Sequence, residues 1–176
     1  MAGHNKWAQI KHKKAATDAK KSKVFGKIAR LISVEAKRAK GDVNAPGLRL
    51  AIQKAKEANM PGDNIERAIR KASEDSGAGM EEVVYETYGP GGVALLIVGL
   101  TDSKNRTAAE IKHLLSLYGV ALASPGSASW AFEKTSEGFA PTMTTSISQE
   151  DGEALLALVD ALEEHDDVQT VYTNAE

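Results

Sequence analysis

The chain has 176 residues, of which 42% are hydrophobic and 26% charged; these are ordinary globular values that exclude wholesale disorder. It has no cysteine, which excludes disulfides and Cys-ligated zinc, and its longest apolar stretch, residues 92–100, is far too short to span a bilayer. Residues 1–20 lack the apolar run of a secretory signal, so we expect a soluble cytoplasmic protein of one or two domains with no membrane partner.

The charge is divided between two parts of the chain. Residues 1–71 contain 18 Lys and Arg against 6 Asp and Glu, a net charge of +12. Residues 72–176 contain 4 against 18, a net charge of −14. A segment of +12 repels itself, and a bound polyanion such as nucleic acid relieves that repulsion. The alternative is a solvated basic surface that folds back on the acidic half.

The first 19 residues are rich in lysine and have no sustained helical period, so they predict a flexible basic arm. Lysine neutralises phosphate, and Trp and His rings can stack on exposed bases. A solubility tail is the alternative, although such a tail has little use for a tryptophan. The candidate nucleic-acid contacts in the arm are Lys6, Trp7, Lys11, His12, Lys13 and Lys14.

Residues 20–76 predict a domain of three helices. Apolar residues recur at helical spacing over residues 20–39, and Gly41 ends that first helix. The second helix begins near Pro46, and the third follows the break at residues 60–62. The cations of the first helix form a stripe away from its apolar face, and those of the third point outward. The candidate phosphate contacts are Lys20, Lys23, Lys27, Arg30, Arg67 and Arg70.

Two other interpretations fit basic helices. A helix lying on a membrane surface also has apolar and basic faces, but here three helices share their apolar faces, which favours a core. A helix-turn-helix DNA reader also has three helices. The third helix has few Asn, Gln or Ser side chains for base edges, so the pattern favours phosphate contacts over base reading.

Residues 77–176 predict an acidic α+β domain with a mainly antiparallel sheet, so the fold class is α+β and multidomain, with the three-helix domain first. Arg106 is one of four basic residues here and a secondary nucleic-acid contact candidate. One predicted helix ends at Gly119, another covers residues 150–164, and the turn at residues 89–92 indicates a hairpin. The predicted strands are 83–88, 93–101, 127–134, 142–148 and 168–173.

The sequence contains no recognisable catalytic or metal-binding arrangement. Its four histidines, at positions 4, 12, 113 and 165, are scattered without metal-ligand spacing. The carboxylates of the acidic helix have no partner His, Ser or Lys placed for catalysis. We therefore expect no catalytic residue, no metal and no cofactor.

Several segments resemble the YebC/PmpR family, in the order that the family has them. At residue 62 the chain has Gly where the family often has Lys. The matching segments are MAGHNKWAQIKHKKAA (1–16), AIQKAKEANMP (51–61), DNIERAI (63–69), YGPGGVA (88–94), LTD-NRT-AE (100–110), GSASWAFEK (126–134) and LVDALEEHDDVQTVYTN (158–174).

The resemblance implies a helical N-terminal domain and two α/β domains, the third inserted within the second. It also implies a regulator of gene expression, since family members are described as DNA-binding transcriptional regulators and as ribosome-associated translation factors that act on stalls. Only residues 135–141 bridge Lys134 to the segment before the final helix, so the inserted third domain is expected to be absent. Any function that depends on that domain is in doubt.

We therefore predict a non-enzymatic, nucleic-acid-binding regulator, monomeric and cytoplasmic. RNA binding at the ribosome, with ribosomal RNA as partner and a role in relieving stalls, is the first interpretation. DNA binding at promoters, as a transcriptional regulator, is the alternative. A second alternative is a protein–protein adapter whose acidic segment, residues 150–167, binds a basic partner.

Overall fold

The structure is a computed structural model that describes Trp7, residues 18–74 and residues 79–176, with only the backbone at residues 18–20. The described residues form two compact units. One is built on residues 18–74, 79–82 and 100–103, and the other on residues 83–99 and 104–176 together with Trp7.

The first unit consists of three helices, as the apolar periodicity predicted. Pro46 begins the second helix, where its missing N–H has no helical partner to lose. Gly41, just after the first helix, has a φ of +81°. The amide of Gly41 donates to the carbonyl of Ala36 at 2.9 Å and so closes the end of the helix. The helices are α1 (Asp18–Arg38), α2 (Pro46–Glu57) and α3 (Gly62–Glu74).

The core of the helical unit is made largely of small side chains. Ile32, Leu48, Met60 and Ile65 are its larger buried members. The remainder of the buried cluster is mainly alanine, which lets the helix backbones approach one another closely. This buried alanine set is Ala36, Ala51, Ala55, Ala68 and Ala72.

The second unit is an α+β arrangement around a four-stranded sheet in the order β3-β1-β2-β6. Strand β3 is antiparallel to β1, and β6 is antiparallel to β2. The sheet strands are β1 (Glu81–Tyr88), β2 (Ala94–Thr101), β3 (Leu122–Ala123) and β6 (Val168–Thr173). A separate hairpin consists of β4 (Phe132–Thr135) and β5 (Gly138–Pro141). The helices of this unit are α4 (Lys104–Leu117) and α5 (Gln149–Glu163).

Strand β2 is apolar up to its last residue, Thr101, because both of its faces are covered. Leu95 and Ile97 belong to a large cluster with α4 and α5. Ala94 and Leu96 belong to a smaller cluster with Phe132 of the β4–β5 hairpin. Side chains alternate along a strand, so the sheet lies between two helices on one face and the hairpin on the other.

The strand predictions near the hairpin were partly wrong. The segment 127–134 becomes a strand only at Phe132, after a short 3-10 turn at Ser129–Ala131. The segment 142–148 forms no strand beyond a single bridge between Thr145 and Ala175. The physical reason is that β4 pairs with the chain immediately after it, residues 138–141, through a two-residue turn.

None of the helices in the described part of the chain is both long and apolar enough to cross a membrane.

Candidate nucleic-acid interface

A groove of about 670 Å³ lies in the helical unit between α1 and α3. Ser33 of α1 fixes the two helices to each other, since its hydroxyl donates to the carbonyl of Ala68 at 3.1 Å. The groove has one carboxylate, Asp102. Five cations line it: Arg30, Lys37, Arg38, Arg67 and Lys71.

The five cations come from both sides of the groove. Lys37 on α1 and Arg67 and Lys71 on α3 have exposed side chains. Arg67 and Lys71 are four residues apart, which places them on one face of α3. Arg38 donates to Glu35 of its own helix at 2.7 Å, an exposed pair of the kind that contributes little to stability. The rim of the groove is therefore strongly cationic.

The floor of the groove is mainly apolar. Phe25 and Ala29 of α1 line it, as do Met60 before α3 and Ala72 within it. Asn64 adds an amide group near the start of α3. A cationic rim above an apolar floor suits a strand whose phosphates lie along the rim and whose unpaired bases lie against the floor.

The structure brings some of the sequence-predicted contacts to this groove. Arg30 and Arg67 line it. Lys23 and Lys27 lie on the same face of α1 as Arg30, because the three are spaced by four and three residues. Arg70 is exposed on α3 but does not line the groove. Lys6, Lys11, His12, Lys13 and Lys14 lie outside the described residues, and Lys20 is described only by its backbone.

Three cations of the groove were not among the predicted contacts: Lys37, Arg38 and Lys71. Lys37 continues the stripe of Lys27 and Arg30, seven residues beyond the latter, and that spacing was the available signal. No comparable signal in the sequence shows that α3 turns Arg67 and Lys71 toward α1.

Trp7 is not the exposed stacking residue that the sequence suggested. Its side chain is 8% exposed and packs in the apolar cluster of the α+β unit with Leu95, Leu155 and Leu158. An indole ring in this core cannot stack on a base without leaving it. The tryptophan in the lysine-rich segment is therefore a core residue.

Arg106 is not a cation available to phosphate in the way we expected. Its guanidinium bonds to the buried carboxylate of Asp167 at 2.7 Å, and Thr107 donates to the same oxygen at 2.7 Å. Because buried carboxylates need such partners, Arg106 fixes the start of α4 to the turn before β6. The predicted contact is a structural ion pair.

A cluster of Glu110, His165 and Asp167 is the only group of potential metal ligands within the described residues. The Nδ1 atom of His165 accepts from the amide of Asp167 at 3.1 Å, so the neutral ring carries its proton on Nε2, which lies 2.9 Å from Glu110. Arg106 also binds the carboxylate of Asp167, at 2.7 Å. The group therefore forms a hydrogen-bonded network with Arg106.

The α+β unit holds a second arrangement that the sequence did not reveal. The buried carboxylate of Glu86 accepts from the backbone amides of Gly126, Ala128 and Ser129 at 2.7, 2.7 and 2.8 Å. Burial alone raises the pKa of the Glu86 carboxyl, but these hydrogen bonds together outweigh it and hold the pKa below its ordinary value of 4.5. The loop before β4 is thereby fixed to β1, and it presents Trp130 at the surface.

Both units match known families of domains. Residues 5–75 match the TACO1/YebC protein N-terminal domain, and residues 80–138 and 135–175 match the TACO1/YebC second and third domain. The chain belongs to the TACO1/YebC family.

Relatives in this family carry the name "Probable transcriptional regulatory protein". The protein from Fervidobacterium nodosum is 51% identical over 160 residues, which are 90% of this chain and 63% of the relative. The protein from Pseudothermotoga lettingae is 40% identical over 238 positions, covering 100% of this chain and 94% of the relative. A crystal structure of a conserved hypothetical protein from Aquifex aeolicus is similar in fold, with a TM-score of 0.81, 34% identity, and coverage of 97% and 96% of the two chains.

The comparison also supports the expected short form. The alignment of 238 positions exceeds the 176 residues of this chain, so at least 62 positions of it have no residue here. The two stretches that match the second and third domain overlap at residues 135–138, the tip of the β4–β5 hairpin. Gly138 closes this tip at a φ of +130°, where a Cβ atom would overlap the hydroxyl of Tyr172. The chain thus has a two-residue turn at the point where the match to the second and third domain is split into two stretches.

Proposed function

We propose that this protein is a non-enzymatic regulator of gene expression that binds nucleic acid through the groove between α1 and α3. The observation that carries the proposal is the convergence of five cations, from two helices, on one groove. The names of the relatives support the regulatory class. The α+β unit is acidic and repels phosphate, so the polyanion lies on the helical unit alone.

The geometry favours RNA over promoter DNA. A helix that reads duplex DNA projects its cations outward into the major groove. Here Arg67 and Lys71 of α3 instead line a groove shared with α1, with apolar side chains beneath. Such a groove fits a single strand or a splayed loop, which are the forms in which proteins recognise RNA sequence. We therefore place the protein on the RNA of the translation machinery, in the cytoplasm, as a monomer without a cofactor, where it relieves stalls.

The second candidate is a DNA-binding regulator of transcription. The name shared by the relatives favours it. Equal or tighter binding to duplex DNA than to RNA, at matched salt, would move this candidate ahead of translation.

The test compares two triple variants with the same change of charge. Lys37→Gln/Arg67→Gln/Lys71→Gln neutralises exposed cations of the groove, and Lys104→Gln/Lys112→Gln/Lys134→Gln neutralises exposed cations of the α+β unit. Binding of fluorescent single-stranded RNA, hairpin RNA and duplex DNA is measured against salt concentration. The groove variant should lose affinity and lower the slope of log affinity against log salt by about 0.7–0.9 for each phosphate contact removed.

The variant of the α+β unit serves as the control and should bind like the parent protein. Replacing exposed charges changes the free energy of unfolding by only about 0.5 kcal/mol each, so a folding defect in the groove variant is not expected and thermal unfolding checks it. Equal salt slopes for the groove variant and the control would reject the groove as the binding site.

A further inference from the structure

The α+β unit presents two aromatic side chains at its surface in fixed positions. Trp130 is 56% exposed and Tyr88 is 40% exposed. The indole Nε1 of Trp130 donates to the hydroxyl of Tyr88 at 2.9 Å, and that hydroxyl donates in turn to the carbonyl of Ser127. The pair, called here the Trp130–Tyr88 platform, is therefore hydrogen-bonded to the unit while its rings remain open to solvent.

The loop beneath the platform is equally constrained. Glu86 accepts from three amides of that loop, and Glu86 lies two residues before Tyr88 on β1. Thr142 donates to the carbonyl of Ala131 at 2.8 Å, and the next residue, Met143, is 59% exposed. Because the two aromatic side chains are already ordered, they lose little additional conformational entropy when a partner binds them.

Exposed, ordered Trp and Tyr side chains are typical of protein interfaces. Such residues combine a large apolar area with few rotatable bonds, and they dominate binding energy where they act as anchors. Nothing in the hydrophobic core requires Trp130 to be at this position, because Ala131 and Phe132 beside it supply the buried contacts.

Charge decides which partner fits the platform. Residues 83–99 and 104–176 contain 13 Asp and Glu against 4 Lys and Arg, and one of those four, Arg106, is already paired with Asp167. This field repels nucleic acid and repels a second copy of the same unit, whereas it attracts a cationic segment. A cationic side chain also interacts favourably with the face of an indole ring.

We propose that the Trp130–Tyr88 platform is a docking site for an extended, Arg- and Lys-rich segment of a partner protein. The proposal does not depend on RNA binding by the helical unit, since it uses a different unit and the opposite charge. It gives the acidic unit a role as the protein-binding half of a regulator whose basic half binds nucleic acid.

The experiment measures the binding of labelled peptides to the full chain by fluorescence anisotropy. The probes are a peptide of repeated Arg-Gly and one of repeated Glu-Gly. We expect the Arg-Gly peptide to bind and to weaken with salt, and the Glu-Gly peptide not to bind. Trp130→Ala should weaken binding of the Arg-Gly peptide by about tenfold or more, as for an interface anchor. Trp130→Phe keeps an aromatic face and should retain most of the affinity.

A matched control is Leu117→Ala, which truncates another exposed apolar side chain, 69% exposed, on α4. It should leave peptide affinity unchanged, and circular dichroism of both variants should match that of the parent protein. Equal loss of affinity in Leu117→Ala and Trp130→Ala would overturn the proposal. The proposal would also be overturned if Trp130→Ala bound the peptide normally but lost affinity for single-stranded RNA. It would likewise be overturned if the only effect of Trp130→Ala were the loss of self-association of the protein. The groove variant Lys37→Gln/Arg67→Gln/Lys71→Gln should still bind the peptide, which separates this test from that of RNA binding.

Discussion

The helical unit and the α+β unit place their polar side chains in opposite ways. Within the described parts of α1, α2 and α3, every buried residue is apolar, and the charged side chains lie at the surface or around the groove. Outside these helices, six of the polar residues that the structure describes are buried: Glu86, Thr87, Thr101, Thr107, Asp167 and Asn174. The charged side chains of the three helices therefore stay at the surface, whereas some polar side chains elsewhere in the chain help to build the fold.

Asn174 illustrates the second use. Its Oδ1 accepts from the amide of Ala94 at 2.8 Å, and its Nδ2 donates to Met143 and Thr145 at 3.2 Å each. These bonds join β2, the end of β6 and the connection to α5. Removing a buried group of this kind costs about 1–3 kcal/mol because its partners lose their bonds, whereas a surface charge can be removed at almost no cost.

Because of this difference, variants of the two units should have different effects on binding and on stability. Substitution of groove cations should change binding with little effect on stability. Substitution of buried or sterically constrained residues in the α+β unit should change stability with little effect on binding of nucleic acid. Three substitutions in the α+β unit, at Trp7, Gly138 and Glu86, test this division.

Replacement of Trp7 by Ala should destabilise the α+β unit by about 3–5 kcal/mol, because it removes a large buried ring from the core. Hydrogen exchange of β2 and α5 amides measures this loss. Trp130→Ala, which truncates an exposed ring, is the matched control and should cost far less. If Trp7→Ala leaves amide exchange unchanged but reduces RNA affinity, Trp7 belongs to the binding surface and the division between units fails.

Replacement of Gly138 by Ala should cost about 3 kcal/mol in the free energy of unfolding. The φ of +130° disfavours any residue with a Cβ atom, and that atom would displace the Tyr172 ring, which packs edge-on against Phe139. Gly92→Ala is the control, since Gly92 has a φ of +75° but open space around it; its cost should be about 1–2 kcal/mol. Equal costs in urea denaturation would show that the contact with Tyr172 is unimportant.

The smallest effect concerns acid stability and Glu86. The folded pKa of Glu86 lies below its ordinary value of 4.5, so its charged form stabilises the fold fully above that value. As the pH falls through the folded pKa, the carboxylate is protonated and this contribution is lost, at about 1.4 kcal/mol for each unit of depression. The parent protein should therefore lose more stability in acid than Glu86→Gln does. Urea denaturation at neutral and acid pH measures the difference, and parallel losses in the two proteins would exclude Glu86 as the cause.

Local patterns in the sequence were sufficient to predict most of the helices and strands. The apolar spacing of residues 20–39 predicted α1, and Gly41 marked its end, because a helix face and a left-handed terminal residue are both encoded within a few positions. Strand β6 was predicted with the bounds Val168–Thr173 that it has. The family resemblance was confirmed by the matches to both domain families.

The sequence by itself determined the helices, the main strands and the separation of positive from negative charge, since each depends on spacing along a continuous stretch. The tertiary structure alone decided which distant residues meet. It placed Trp7 in the same buried cluster as Leu155, paired Arg106 with Asp167, and brought Lys37, Arg67 and Lys71 to one groove. The physical reason is that periodicity shows which face of an element is apolar or charged but not which other element covers that face. A tryptophan among lysines has the same local pattern whether its ring meets solvent or a remote core.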